Sequence, residues 1–271
     1  MTQALLHYAV QEIYQTYGDH VSVWDKGKSL HKFGRYDSLG TSQITVTGLG
    51  QNETYVTTNA IDSISSSSGS DTHLVRLEGH TVSGTGTDAE FTFVTETVTL
   101  TGQTRAALST PLARVSRLYN TSGTATVGNV YVYENTALTG GVPDDLSKAH
   151  ILMKAGEEQS YKAATTFSNS DYFIMTNITA AVSKRTSGTV DFELQVRTAG
   201  GVFRPATRFS LGTGQSFTRT GEPWYIVPKN SDVRVQATGS TTSLDVNASF
   251  DGFLAIVTTN PYSARKEDLI P

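Results

Sequence analysis

The chain predicts an all-β fold: two tandem antiparallel β-sandwich domains, jelly-roll-like, preceded by a short N-terminal helical arm. Three observations carry that prediction. Apolar and polar residues alternate with a period of two through most of the chain, as strands with one dry and one wet face require. The alternating runs are short and separated by Ser-, Gly- and Thr-rich breaks such as SISSSSGSD (63–71), SGTGTD (83–88) and TSGTATVG (121–128). Hydrophobic residues make up 37% and charged residues 17%. That is too weakly charged for a disordered chain, and it suits thin sandwiches whose outer faces are Thr and Ser.

Residues 1–17 form the one helical window, with Leu5, Leu6, Ala9, Val10, Ile13 and Tyr17 on one stripe and Gly18 as its stop. Such a helix packs on its own sandwich or docks on a neighbouring subunit. Residues 18–40 read as irregular. The period then switches to two: Ile44 and Val46, Phe91 and Phe93, Val98 and Leu100, and Val130 and Val132 alternate with Thr or Tyr. The break TALTGGVPDDLSK (136–148) marks the expected domain boundary, because its glycines and Pro143 cannot continue a central strand. Beyond it, Val190, Phe192, Leu194 and Val196 interleave with polar residues, as do Val233, Val235 and Ala237, and then Leu244, Val246, Ala248 and Phe250. Phe253–Val257 is apolar on both faces and reads as a central strand. The expected division is an arm over 1–40, a first sandwich over 41–142, a second over 143–260, and a loose tail over 261–271.

Composition excludes several functions. A formal net charge of −4 and no Lys/Arg run leave no footprint for nucleic acid. With no cysteine, disulfides and thiolate zinc sites are excluded. The N-terminus lacks the pattern of a signal peptide, and no apolar run is long enough for a membrane helix, so the expected setting is cytoplasmic synthesis without a membrane partner.

The search for chemistry returns little. There is no Gly-x-Ser-x-Gly elbow. His73, Glu78 and His80 surround one predicted strand but lack a further ligand, so no metal is expected. The acidic pairs Asp144–Asp145 and Glu157–Glu158 are adjacent and point apart in an extended chain. Gly84-Thr-Gly86 and Gly212-Thr-Gly214 lack the residues of a phosphate cradle and read as turns. No catalytic residue, cofactor or enzymatic activity is therefore expected. Tyr131 and Tyr133, on one strand face, and Trp224 form a possible aromatic contact surface, either for sugar rings or for packing in a core or subunit interface.

Several stretches occur in an order that resembles a known family. They are His31-Lys32-Phe33-Gly34-Arg35, Thr95 through Gly102, Ala113-Arg114-Val115-Ser116-Arg117, Leu194-Gln195-Val196-Arg197, Gly200-Gly201-Val202-Phe203-Arg204, Val227 through Val235, and Phe250-Asp251-Gly252-Phe253-Leu254. Together, over about 31–257, they resemble virion structural proteins of short-tailed marine-type bacteriophages. The resemblance implies a non-catalytic particle component, foremost a capsid decoration (cement) protein, trimeric and bound to the major capsid protein on the outer shell. A tail or neck adaptor, a receptor-binding fibre and a carbohydrate-binding module are the alternatives. On this reading Lys32, Phe33, Gly34 and Arg35 are a basic and aromatic anchor for the capsid partner, or else a plain first strand of the sandwich.

Overall fold

A computed structural model describes residues 28–183 and 187–256, with the side chains of 221–224 and 256 outside the description. The predicted helix over 1–17 and the tail over 261–271 lie outside the described residues. The chain opens with β1 (Lys28–Leu39) and β2 (Ile44–Thr45). Nine strands follow: β3 (Ile61–Ser66), β4 (Leu74–Ser83), β5 (Glu90–Thr99), β6 (Ala106–Leu112), β7 (Arg114–Asn120), β8 (Val130–Glu134), β9 (Leu138–Thr139), β10 (Val142–Pro143) and β11 (Ala149–Met153). The last seven are β12 (Ala164–Phe167), β13 (Asp171–Ser183), β14 (Thr189–Thr198), β15 (Arg204–Gly212), β16 (Ser216–Val227), β17 (Ser231–Gly239) and β18 (Leu244–Ile256). All pairings are antiparallel, and among the described residues the helical pieces are two single 3₁₀ turns.

Two sheets, β1-β18-β13-β16 and β12-β17-β14-β15, face each other across one core. Numbering these eight strands in chain order gives sheet orders 1-8-3-6 and 2-7-4-5, the strand order of a jelly roll. The alternation read from the sequence is what fills its core. Val190, Phe192, Leu194 and Val196 on β14 and Val233, Val235 and Ala237 on β17 point inward, against Leu244, Val246, Ala248 and Phe250 of β18. β18 is central in its sheet and runs unbroken through Gly252, where a Cβ would lie 2.1 Å from the Ile174 carbonyl oxygen.

β2 joins the β12-β17-β14-β15 sheet beside β17, while β3–β8 and β11 form a second unit of two sheets, β11-β8-β3-β6 and β5-β4-β7, around a separate apolar core. This unit is inserted between the first two strands of the jelly roll. It leaves at Thr47 and returns at Lys162, which bridge each other, flanked by Gly48 N–H to Tyr161 O at 3.0 Å and Ala163 N–H to Val46 O at 2.9 Å. The sheets are thus nested, not arranged in tandem along the chain with a break after 142. The 136–148 break forms the β9–β10 hairpin and a short turn on the surface of the insert, and β11 pairs with β8 on the insert's side. Residues 28–40 are likewise not an arm before the sandwich: β1 is its first strand, paired with β18 from Lys28↔Leu254 to Leu39↔Leu244.

Candidate functional site

Several buried ionisable groups converge at the junction between the jelly roll and the insert. Arg114 opens β7 of the insert, and Asp232 lies on β17 of the jelly roll with 1% of its side chain exposed. Arg114 Nε donates to Asp232 Oδ1 at 2.9 Å, Arg197 donates to Oδ2 through Nε at 2.9 Å and Nη2 at 2.8 Å, and Thr166 Oγ1 donates to Oδ1 at 2.6 Å. Burial pushes this carboxyl up, but the two guanidiniums and the hydroxyl outweigh it and hold it below the ordinary carboxylate range. Tyr55 and Phe203, with centroids 5.1 Å apart, lie against the guanidiniums of Arg114, Arg197 and Arg234.

A second buried group sits beside it. Lys162 Nζ donates to Glu53 Oε1 at 2.6 Å, Val115 O at 2.8 Å and His150 O at 3.0 Å, which uses all three ammonium protons. Lys32 reaches across from β1 to donate to the Ser116 carbonyl. Burial, with Lys162 nearby, lowers its pKa to about 7. His80, its ring edge-on to Phe93, and His150, bonded to Glu134 Oε1 at 3.0 Å, are both buried. Burial lowers them to about 3 and about 4 respectively, against the pull of nearby carboxylates.

Four of these groups, Glu53, Tyr55, Arg114 and Lys162, line a small void together with Thr165 and Thr166. It has room for roughly one water molecule. A substrate has no place in it, and the charges pair with one another. Among the described residues no three His, Asp or Glu side chains are grouped to hold a metal ion. The cluster works chemically as a brace: it satisfies charges buried when the two β units close on each other.

That brace makes folding stability depend on pH in a defined direction. In the unfolded chain His80 and His150 take up protons near 6.5, whereas in the fold they stay neutral until about 3 and about 4. The unfolded state therefore binds more protons below 6.5, and stability falls as the pH drops from 6.5. The limiting slope is about 1.4 kcal/mol per pH unit for each histidine. Urea midpoints between pH 6.5 and 4.5, above most carboxylate titration, are expected to fall steadily, and a flat profile would contradict the burial of these rings. Lys32 acts at the alkaline end. With its folded pKa near 7 and its unfolded value near 10.5, stability rises between those values, and Lys32→Met is expected to abolish that rise.

The residues singled out from the sequence fall differently. Lys32, Phe33, Gly34 and Arg35 are consecutive positions of β1. Lys32 is spent inside the junction, Phe33 packs edge-on against Tyr161 at 5.4 Å, and Arg35 pairs with Asp37 at 2.7 Å. Gly34 is buried where a Cβ would lie 2.0 Å from the Val46 carbonyl oxygen. The segment is the plain first strand, and Lys32 and Gly34 are not available as an external anchor. Tyr131 and Tyr133 do share a face of β8, but with 7% and 0% exposure they form no open aromatic row. Leu138 and Val142 of the β9–β10 hairpin, Leu49 and Leu152 cover them. Trp224 belongs to β16, and its side chain lies outside the described residues. Of the junction residues, Lys32 is singled out by the sequence in another role, and Arg114, Arg197 and Asp232 stand within longer stretches. Their pairing spans 118 and 35 residues, and no local pattern announces it.

No family model and no curated protein matches the chain. Among solved structures, the CBM22-1–GH10 modules of Clostridium thermocellum xylanase 10B, complexed with xylohexaose, share 11% identity over 82% of this chain and 29% of that one, with a TM-score of 0.20. Arthrobacter globiformis isomalto-dextranase complexed with panose shares 9% over 84% and 35%, at 0.21. The VP2 subviral particle of infectious bursal disease virus shares 9% over 93% and 78%, at 0.22. The chain spans 29% and 35% of the length of the first two. At these scores none of the three bears on function.

Proposed function

We propose that this chain is a non-catalytic structural component of a tailed-phage particle, a decoration (cement) protein that binds the outer face of the shell and stabilises the head. It acts as a homotrimer on the major capsid protein, is made in the host cytoplasm, and uses no cofactor, metal, nucleic acid or membrane. The observation that carries this reading is the junction. Two β units, one with jelly-roll strand order, are joined by buried charges that pair internally around a void too small for a substrate. A rigid double slab of this kind suits bearing load across a surface, and jelly rolls serve as capsid scaffolds elsewhere. The ordered family resemblance over 31–257 points the same way.

A tail or neck adaptor or a fibre would use the same slab in a different place, so copy number separates the positions. Quantitative mass spectrometry of purified particles is expected to return hundreds of copies, whereas a dozen or fewer would move the protein to the tail. Light scattering on the free protein is expected to give a trimer, and a stable monomer that ignores empty shells would overturn the cement assignment. The carbohydrate-binding alternative loses Tyr131 and Tyr133, whose rings are covered.

A further inference from the structure

One exposed segment combines aromatic and basic residues of the kind that β1 commits inward at Lys32 and against Tyr161 at Phe33. The β14–β15 connection carries Val202, Phe203 and Arg204 in sequence. Val202 is 71% exposed, Arg204 is also exposed, and Phe203 is half-buried beneath them. An exposed aliphatic tip is ordinary on a mobile loop, but this loop is held from several sides. Ala199 N–H donates to Asn230 O at 2.8 Å and Gly201 N–H to Thr198 O at 2.9 Å. Gly200, at φ +70°, sits so close to the insert that a Cβ would lie 2.4 Å from the Gly86 carbonyl carbon. The Phe203 ring is clamped by the Arg234 guanidinium at 3.9 Å, Arg197 at 4.5 Å and Tyr55 at 5.1 Å. The tip is therefore pre-organised, which lowers the ordering cost of binding.

Its charge is equally particular. Arg197 and Arg234 lie against Phe203, Arg204 follows it in sequence, Arg114 stacks on the neighbouring Tyr55, and Arg208 lies further along β15. Asp232 answers Arg114 and Arg197, Glu193 answers Arg208, and Asp88 lies in the turn beneath Gly200. Among the described residues no carboxylate pairs with Arg234, whose Nε donates to Gln195 Oε1 at 2.9 Å. This corner is cationic in a chain of net charge −4. Aromatic and arginine side chains around a fixed apolar point are the composition of interface hot spots.

We propose that the Val202–Phe203–Arg204 tip is the docking surface of this protein, and that its counterpart is an acidic patch whose carboxylates flank a shallow apolar hollow on the shell. This rests on the shell-binding reading above, and the test separates the two. Full-length protein is co-sedimented with empty shells assembled from the cognate major capsid protein, at low and at high salt. Val202→Asp and Arg204→Glu are compared with Arg105→Glu, which matches the charge change of Arg204→Glu and exceeds that of Val202→Asp, at an exposed site on the insert. Both tip residues are exposed, so melting temperatures are expected to stay at the wild-type value.

The wild type and Arg105→Glu are expected to bind alike, each tip variant to lose about tenfold or more in affinity, and binding to weaken with salt. If the wild type ignores shells, the shell-binding reading falls and the assigned counterpart with it. Binding of both tip variants at the wild-type level would overturn the tip alone. A loss shared equally by Arg105→Glu would mean general charge attraction and would overturn it too.

Discussion

Asp232→Ala is expected to cost the protein about 3–5 kcal/mol, the range for breaking a buried ion pair by removing one partner. Asp232 is the carboxylate that both Arg114 and Arg197 bond, and Arg114 has only 7% of its side chain exposed. Without Asp232, two guanidiniums remain at a closed junction with their charge uncompensated, and Thr166 loses its acceptor. Asp232→Asn keeps the shape and part of the hydrogen bonding while removing the charge, so it is expected to fall between alanine and wild type. Urea unfolding of the three proteins at pH 7 measures this. Because the pair links the insert to the jelly roll, the variants should also lose the coincidence of the insert and jelly-roll transitions. A wild-type midpoint for Asp232→Ala would show that the junction contributes no net stability.

Gly34→Val is expected to be comparably severe for a different physical reason. At Gly34 the added carbon would meet Val46 O at 2.0 Å, Ala163 N at 2.5 Å and the Ala163 Cβ at 2.8 Å. Two of the three are backbone atoms in the hydrogen-bonded neck through which the insert leaves and returns, so no rotamer relieves the clash. Overpacking costs roughly 1–3 kcal/mol where neighbours can shift and more where they cannot. The expected result is a loss of about 3 kcal/mol or more, or failure to fold in soluble form. An external capsid anchor at this position would behave otherwise, with stability unchanged and shell binding reduced. Thermal melting of the variant therefore decides between a strand packed inside the fold and an anchor outside it.

The all-β class and much of the jelly-roll core were legible because they depend on local alternation. Val190, Phe192, Leu194 and Val196 announce one dry face of β14 within seven residues, and the structure buries all four. The nesting was not legible, because it depends on pairing between distant segments: His31 faces Asp251 across β1 and β18, 220 residues apart. The same limit explains the tyrosines. Alternation places Tyr131 and Tyr133 on one face of β8, but whether that face is wet is decided by the hairpin of Leu138 and Val142, which as sequence reads as a break. Lys32 misleads for a related reason. A lysine in a short charged strand ordinarily faces water, and only the carbonyl of Ser116, on another unit, gives it a place inside. The candidate site was least visible, since its charges come from β1, β7, β14, β17, Glu53 and Lys162 and meet only when the two units close.

Electron cryo-imaging of the intact particle tests the central claim most directly. Repeated density is expected on the outer shell, fitting a jelly roll with its inserted β unit as one rigid body, with the β14–β15 tip turned toward the capsid. Density confined to the tail or neck, or an insert hinged away from the jelly roll with the Arg114–Asp232 contact broken, would contradict it.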